Sequence, residues 1–285
     1  MPAETLLRLR RDLLRAGRRV LGAGPMFEAL FDPPVAEDPL ARRRFQKPGP
    51  PFVVLPSSDL PRPVEPGDSL AVAVHFFGRG IQLIESFLFC LTQLGRNGLW
   101  QGEACFEVGA LAAEDPAGNL CEIPLPGSGV VPPWPIDTGR WWLDSRSAGS
   151  CWRLRLLSPA RLMSRGRPLF RAGLRELFPF VMRRVGSVAY YHCGIEVLPQ
   201  VEEALADLAA IDEVRNSLHW RDWRTLDGSH GPVDLGGLVG ALVFHAPRSA
   251  TALGLLHLGS LLNIGRGATY AAGHYCLELL SDGTI

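Results

Sequence analysis

The sequence predicts an α+β protein of two ferredoxin-like units in tandem, the first lacking an obvious first strand. Three observations predict it. Residues 151–280 read as strand, helix, strand, strand, helix, strand, which is the complete ferredoxin-like order. Residues 1–111 give helix, strand, strand, helix, strand, the same order without its opening strand. Between them, from Ala113 to Gly149, glycine and proline become dense and periodicity lapses, as in a connection. The division is therefore 1–113, a linker or insertion at 114–150, and 151–285.

In the first helix Leu6, Leu7, Leu9, Leu13, Leu14 and Val20 share a segment with Arg8, Arg10, Arg11, Arg15, Arg18 and Arg19, and Gly22 and Gly24 close it. The pattern is an amphipathic helix with a basic face, either solvated over the core or turned to an anion. Arg42, Arg43, Arg44 and Lys47 follow in a proline-rich loop suited to contacting a phosphate backbone. Strands are expected at 52–55 and 70–77, a helix at 81–94 and a strand at 103–111. Trp134, Trp141 and Trp142 stand in the connection, either to stack on unpaired bases or to seal an interface.

In the second unit Trp152, Leu154 and Leu156 alternate with Arg153 and Arg155 as a half-buried strand does. A helix at 169–185, an acidic helical insertion at 201–214 and strands at 218–226 and 238–245 follow. The apolar run from Leu235 to His245 is too short and too rich in glycine to cross a membrane. Leu253, Leu256, Leu261 and Ile264 fall near helical spacing up to a stop at Gly265. Tyr275, Leu277 and Leu279 then alternate with Cys276 and Glu278 in a closing strand. The loop between, with Gly265, Arg266, Gly267 and Gly273, reads either as a phosphate cradle of amides and one guanidinium or as a tight structural turn. It is no nucleotide P-loop, for no Gly-Lys-Ser/Thr follows, and it runs from helix to strand, the reverse of a dinucleotide fingerprint.

Composition narrows the chemistry. The six cysteines are scattered without a Cys-x-x-Cys pair, which argues against structural zinc and a disulfide scaffold. No metal site or cofactor is expected. With no basic, apolar leader in view, a cytoplasmic location is expected. The formal net charge is +0, yet residues 140–184 hold eleven arginines against two carboxylates, Asp144 and Glu176. Lys47 is the sole lysine, so positive charge is almost wholly guanidinium, the group that forks onto phosphate. Arginine-rich codon usage is the plain alternative source.

Leu235-Gly236-Gly237-Leu238-Val239-Gly240, followed by the stretch from Leu261 to Gly273, resembles the CRISPR repeat-processing endoribonucleases of the RAMP superfamily. Pro51 to Pro56, Pro66-Gly67-Asp68, Phe76-Phe77-Gly78-Arg79-Gly80 and Leu94-Gly95-Arg96-Asn97-Gly98-Leu99 resemble the same family's first domain in order and spacing. The resemblance implies metal-independent cleavage of CRISPR repeat RNA: a 2′-hydroxyl attacks in line, leaving a 2′,3′-cyclic phosphate and a 5′-hydroxyl. It implies retention of the crRNA stem-loop, other CRISPR effector subunits as further partners, and no membrane. The alternative is a non-catalytic RAMP-type scaffold that only binds RNA.

Such chemistry asks for a base, a cation for the charged phosphorane and a clamp. The family's usual base is a histidine of the first helix, but no histidine precedes His75. His230, beside the hairpin arm, and His274, after the glycine loop, become the candidates for base or acid, with Arg15 as an electrostatic substitute. Arg11, Arg18, Arg153, Arg155, Arg165, Arg167, Arg171, Arg221, Arg224, Gly265, Arg266 and Gly267 are the expected RNA contacts. His75, His245 and His257 read as structural, and His192 as open either way.

Overall fold

The computed structural model describes residues 3–45, 47–56, 65–99, 102, 104–115, 117–125, 136–144, 146, 149–197, 201–209, 211, 213–222, 224–225, 233–234 and 236–281. It is an α+β protein with two main apolar clusters, one in each half of the chain.

The N-terminal half opens with α1 (Ala3–Leu21), α2 (Pro25–Phe31) and α3 (Pro39–Arg44). Leu9, Leu13 and Ala16 of α1 are buried, while Arg10, Arg11, Arg15, Arg18 and Arg19 are exposed, as the amphipathic spacing requires. Strands β1 (Phe52–Val54) and β2 (Val74–Phe76) pair antiparallel, Phe52 opposite Phe76 and Val54 opposite Val74. A 3-10 turn at Gly78–Leu83 leads into α4 (Ile84–Asn97), which packs on α1. The strand expected at 103–111 does not form: residues 105–110 have no regular structure. A hairpin of β3 (Leu111–Glu114) and β4 (Leu120–Ile123) follows instead. Asp115 tightens its turn by accepting the backbone N–H groups of Ala117 and Asn119, a local bond that alternation in the preceding stretch could not reveal.

After α5 (Gly139–Asp144), the C-terminal half contains β5 (Cys151–Ala160), β6 (Met163–Ser164), β7 (Arg167–Pro168), α6 (Leu174–Val188), α7 (Val201–Ala209), β8 (Glu213–Asn216) and β9 (His219–Arg221). Then come β10 (Arg224–Thr225), β11 (Val233–Asp234), β12 (Gly237–His245), α8 (Ala250–Ser260) and β13 (Tyr275–Leu279). The sheet order is β13-β5-β12-β8, with β9 also on β12, all antiparallel. Since β8 and β9 together form the second strand, this is the ferredoxin-like order 4-1-3-2. Trp152, Leu154 and Leu156 point into the core under α6 and α8, and Arg153 and Arg155 point out. Helix α6 starts five residues later than expected. Glu176 accepts the Gly173 N–H and Glu213 accepts the Leu174 N–H, fixing its first turn there. The residues before it fold into the β6–β7 hairpin, whose turn residues Arg165 and Gly166 both have positive φ, 49° and 78°.

The first unit's missing strand leaves β1 with a free edge, and the chain covers that edge itself. The Val54 N–H donates to the Thr269 carbonyl at 2.8 Å, and Val54 bridges Tyr270 in parallel. Tyr270 and Ala271 are buried in the N-terminal cluster beside Leu9, Leu13 and Phe52. The glycine loop of the second unit therefore occupies the unpaired edge of the first, where a bare strand would invite foreign pairing.

Candidate functional site

Where the two halves meet, the chain from Leu261 to His274 is fixed by its own backbone. The Arg266 N–H donates to the Arg161 carbonyl, Gly273 to Pro159, Ile264 to the Gly273 carbonyl, and Tyr270 and Ala272 to that of Gly267. Gly265 (φ 82°) and Gly273 (φ 65°) are required here, because a Cβ at Gly265 would lie 2.6 Å from the Arg161 oxygen and one at Gly273 would collide with the Ile264 oxygen. Much of the loop's donor capacity thus goes to carbonyls, which favours the structural-turn reading. The group it offers outward is Arg266, exposed and without an ion-pair partner among the described residues.

Asn263 is the joint of this region. Fully buried, with φ 54°, it donates from Nδ2 to the Ala268 carbonyl at 2.9 Å and to the Val54 carbonyl at 3.4 Å. Its Oδ1 therefore faces His274 Nδ1 at 2.9 Å, so that nitrogen carries the proton and Nε2 keeps its lone pair. Burial, with His75 nearby, pulls the His274 pKa down to about 4, leaving a neutral imidazole at pH 7. His75 Nδ1 donates to the Leu261 carbonyl at 3.1 Å, and burial lowers its pKa too. A strand histidine that its alternation marked as structural thus lies beside the candidate base.

His192 is a fixture: its Nε2–H donates to the Gly49 carbonyl at 2.9 Å. Arg184, from α6, donates through Nε to the Leu262 carbonyl at 3.2 Å, and burial lowers its pKa to about 10. These two residues tie α6 and the π-helical turn that continues it, Ala189–Cys193, to the chain entering β1 and to the chain leaving α8. His257 is buried edge-on to Trp142 and Trp152, so Trp142 seals α8, whereas Trp134 lies outside the described residues.

The expected contacts fall into three places. Arg165 and Arg167 in the β6–β7 hairpin, Arg171 just after it, Arg221 on β9, Arg224 on β10 and Arg266 all belong to one end of the C-terminal sheet. That end is defined by Ala160 opposite Leu238 and by the Arg161 carbonyl that holds Arg266. Arg153 and Arg155 lie on the open sheet face, where both reach Glu278, at 3.4 and 2.8 Å. Arg11, Arg15 and Arg18 line a 460 Å³ groove along α1, and Arg15 also lines a 340 Å³ groove against Leu94, Asn97 and Gly98 of the α4 end. Arg15 also stands 4.0 Å from the buried Asp12 carboxylate, and Arg10 is an α1 arginine near Tyr270 of the glycine loop. Arg10 was detectable only as the neighbour of Leu9, on the flank of the buried stripe. His230 lies outside the described residues.

Residues 154–275 match the family model of the CRISPR-associated endoribonuclease Cas6, and residues 20–134 match one described as an N-terminal domain. No curated protein matches the sequence. Among solved structures, the product complex of Cas6 (TTHB231), from Thermus thermophilus, is similar at TM-score 0.56 and 16% identity, over 98% of this chain and 95% of that one. The product complex of Cas6 (TTHA0078) is similar at TM-score 0.54 and 17% identity, over 96% and 92%. The tandem fold extends over nearly the whole length of both, and it is the C-terminal part of the chain, residues 154–275, that is similar to the CRISPR-associated endoribonuclease Cas6 family.

Proposed function

We propose that this protein cuts CRISPR repeat RNA without a metal ion, by attack of the 2′-hydroxyl before the scissile bond, and keeps the stem-loop product. The observation that carries the reading is the junction itself. One loop, locked between the two halves, presents an exposed guanidinium at Arg266 and ends in an imidazole of fixed tautomer at His274. The unprotonated Nε2 of His274 would take the proton from the 2′-hydroxyl, and Arg266 would face the phosphate as negative charge builds on it. Arg10, Arg11, Arg15 and Arg18 of α1, with the guanidinium groups at the sheet end, would hold the RNA backbone. His230 is retained as a candidate acid for the leaving 5′-oxygen. Residues 1–113 and 151–285 would act as the two halves and 114–150 as their connection, in the cytoplasm with other CRISPR effector subunits.

The experiment is incubation of purified protein with end-labelled repeat RNA in EDTA. A discrete product ending in a cyclic phosphate, reduced about 100-fold or more in His274→Ala with RNA binding retained, is expected. The second reading, an RNA-binding scaffold that cuts nothing, is favoured by the histidine-free first helix. Binding without product would establish it.

A further inference from the structure

Phe170, in the connection between β7 and α6, is 58% exposed, although the apolar core beneath it is complete without it. Its ring lies against Trp220 of β9, with centroids 4.7 Å apart and planes at 56°. The indole is fixed from two sides. Its Nε1–H donates to Asp222 Oδ1 at 2.7 Å, and it sits so close over the start of β12 that a Cβ at Gly236 would come within 2.6 Å of it. The pair is therefore held as an aromatic surface rather than left as a mobile side chain.

Its surroundings are cationic. Arg165 and Arg167 stand in the adjoining hairpin and Arg171 follows Phe170 directly, and all three are exposed. Among the described residues, Asp222 accepts from the indole, while Glu176 and Glu213 accept from the first amides of α6. An exposed aromatic face with guanidinium groups in the neighbouring hairpin and connection matches an unpaired nucleobase flanked by phosphates, since every base offers a π-face and every linkage a negative charge. A protein partner would have to bring both an apolar side chain and several carboxylates to the same spot.

We propose that Phe170 and Trp220 form a stacking platform for an unpaired nucleotide flanking the repeat stem, with Arg165, Arg167 and Arg171 on the adjacent phosphates. The platform rests on the reading of the protein as a repeat-RNA binder and adds to it a single-stranded site. It stands at the end of the sheet that also carries Arg266, so a strand leaving the junction would pass over it.

Fluorescence anisotropy on the full chain tests it, with a repeat stem carrying its single-stranded flanks and the same stem with flanks removed. Wild type is expected to bind the flanked RNA more tightly. Phe170→Ala should lose about tenfold in affinity for the flanked RNA and almost none for the trimmed stem, and Phe170→Tyr should restore it. Thermal unfolding of each variant shows that the fold is intact. Equal affinity of wild type and Phe170→Ala for the flanked RNA overturns the platform and leaves the repeat-RNA reading standing. Failure of wild type to bind either RNA overturns both.

Discussion

At the scale of single residues, the junction depends on Asn263. Its amide serves two carbonyls and one imidazole, and one of those carbonyls, on Val54, is 209 residues away in sequence. Replacing it with alanine strands these groups in a buried site. Asn263→Ala should cost about 1–3 kcal/mol, read from urea denaturation, and should slow RNA cleavage beyond that loss because the His274 tautomer is no longer set. The pH–rate profile supplies a second prediction. A base whose pKa burial has brought down to about 4 is already unprotonated at neutral pH. Cleavage should therefore be flat above roughly pH 5 and fall only as pH approaches 4. An acid limb centred near the ordinary histidine pKa would assign the base elsewhere. His274 and Arg266 were legible in the sequence because chemistry names them, whereas an asparagine in a leucine-rich segment carries no such signal.

Elements carry a different lesson, clearest in the β6–β7 hairpin. Arg165 has φ 49°, a conformation that disfavours any side chain with a Cβ and is best tolerated by glycine or asparagine. Its retention is understandable if the guanidinium is used. Arg165→Asn should raise stability by about 0.5–1 kcal/mol while weakening repeat-RNA binding several-fold, read by calorimetry and anisotropy on one preparation. A gain in stability with unchanged binding would remove Arg165 from the interface. The hairpin was missed because each of its strands is only two residues long, too short for alternation to show. The start of α6 is fixed by Glu176 within the helix and by Glu213, 39 residues downstream of Leu174, and local periodicity contains no information about the second.

Across the whole molecule, buried histidines make the fold sensitive to acid. Desolvation lowers the pKa of His75, His192, His257 and His274, and that of His257, edge-on to Trp142 and Trp152 with Arg146 nearby, falls to about 4. Between about pH 6.5 and pH 4 the unfolded chain binds more protons than the folded one. Stability present above the upper value is thus lost on acidification, with roughly 3 kcal/mol of the loss due to His257. His257→Phe should keep the aromatic packing and flatten this dependence, as measured by thermal unfolding from pH 7.5 down to about pH 4.5. An unchanged slope in the variant would show that other groups dominate.

The C-terminal strand order and the basic face of the first helix were determined by the sequence alone, because alternation and helical spacing are local and each element shows its buried side to itself. The glycine loop was equally plain, with Arg266 within it. Only the tertiary structure decided that this loop closes the open edge of β1, that Asn263 orients His274, and that Arg10 of α1 comes near Tyr270 of the loop. Those facts are pairings between residues far apart in the chain, and hydrophobic pattern records which face is buried but never what buries it.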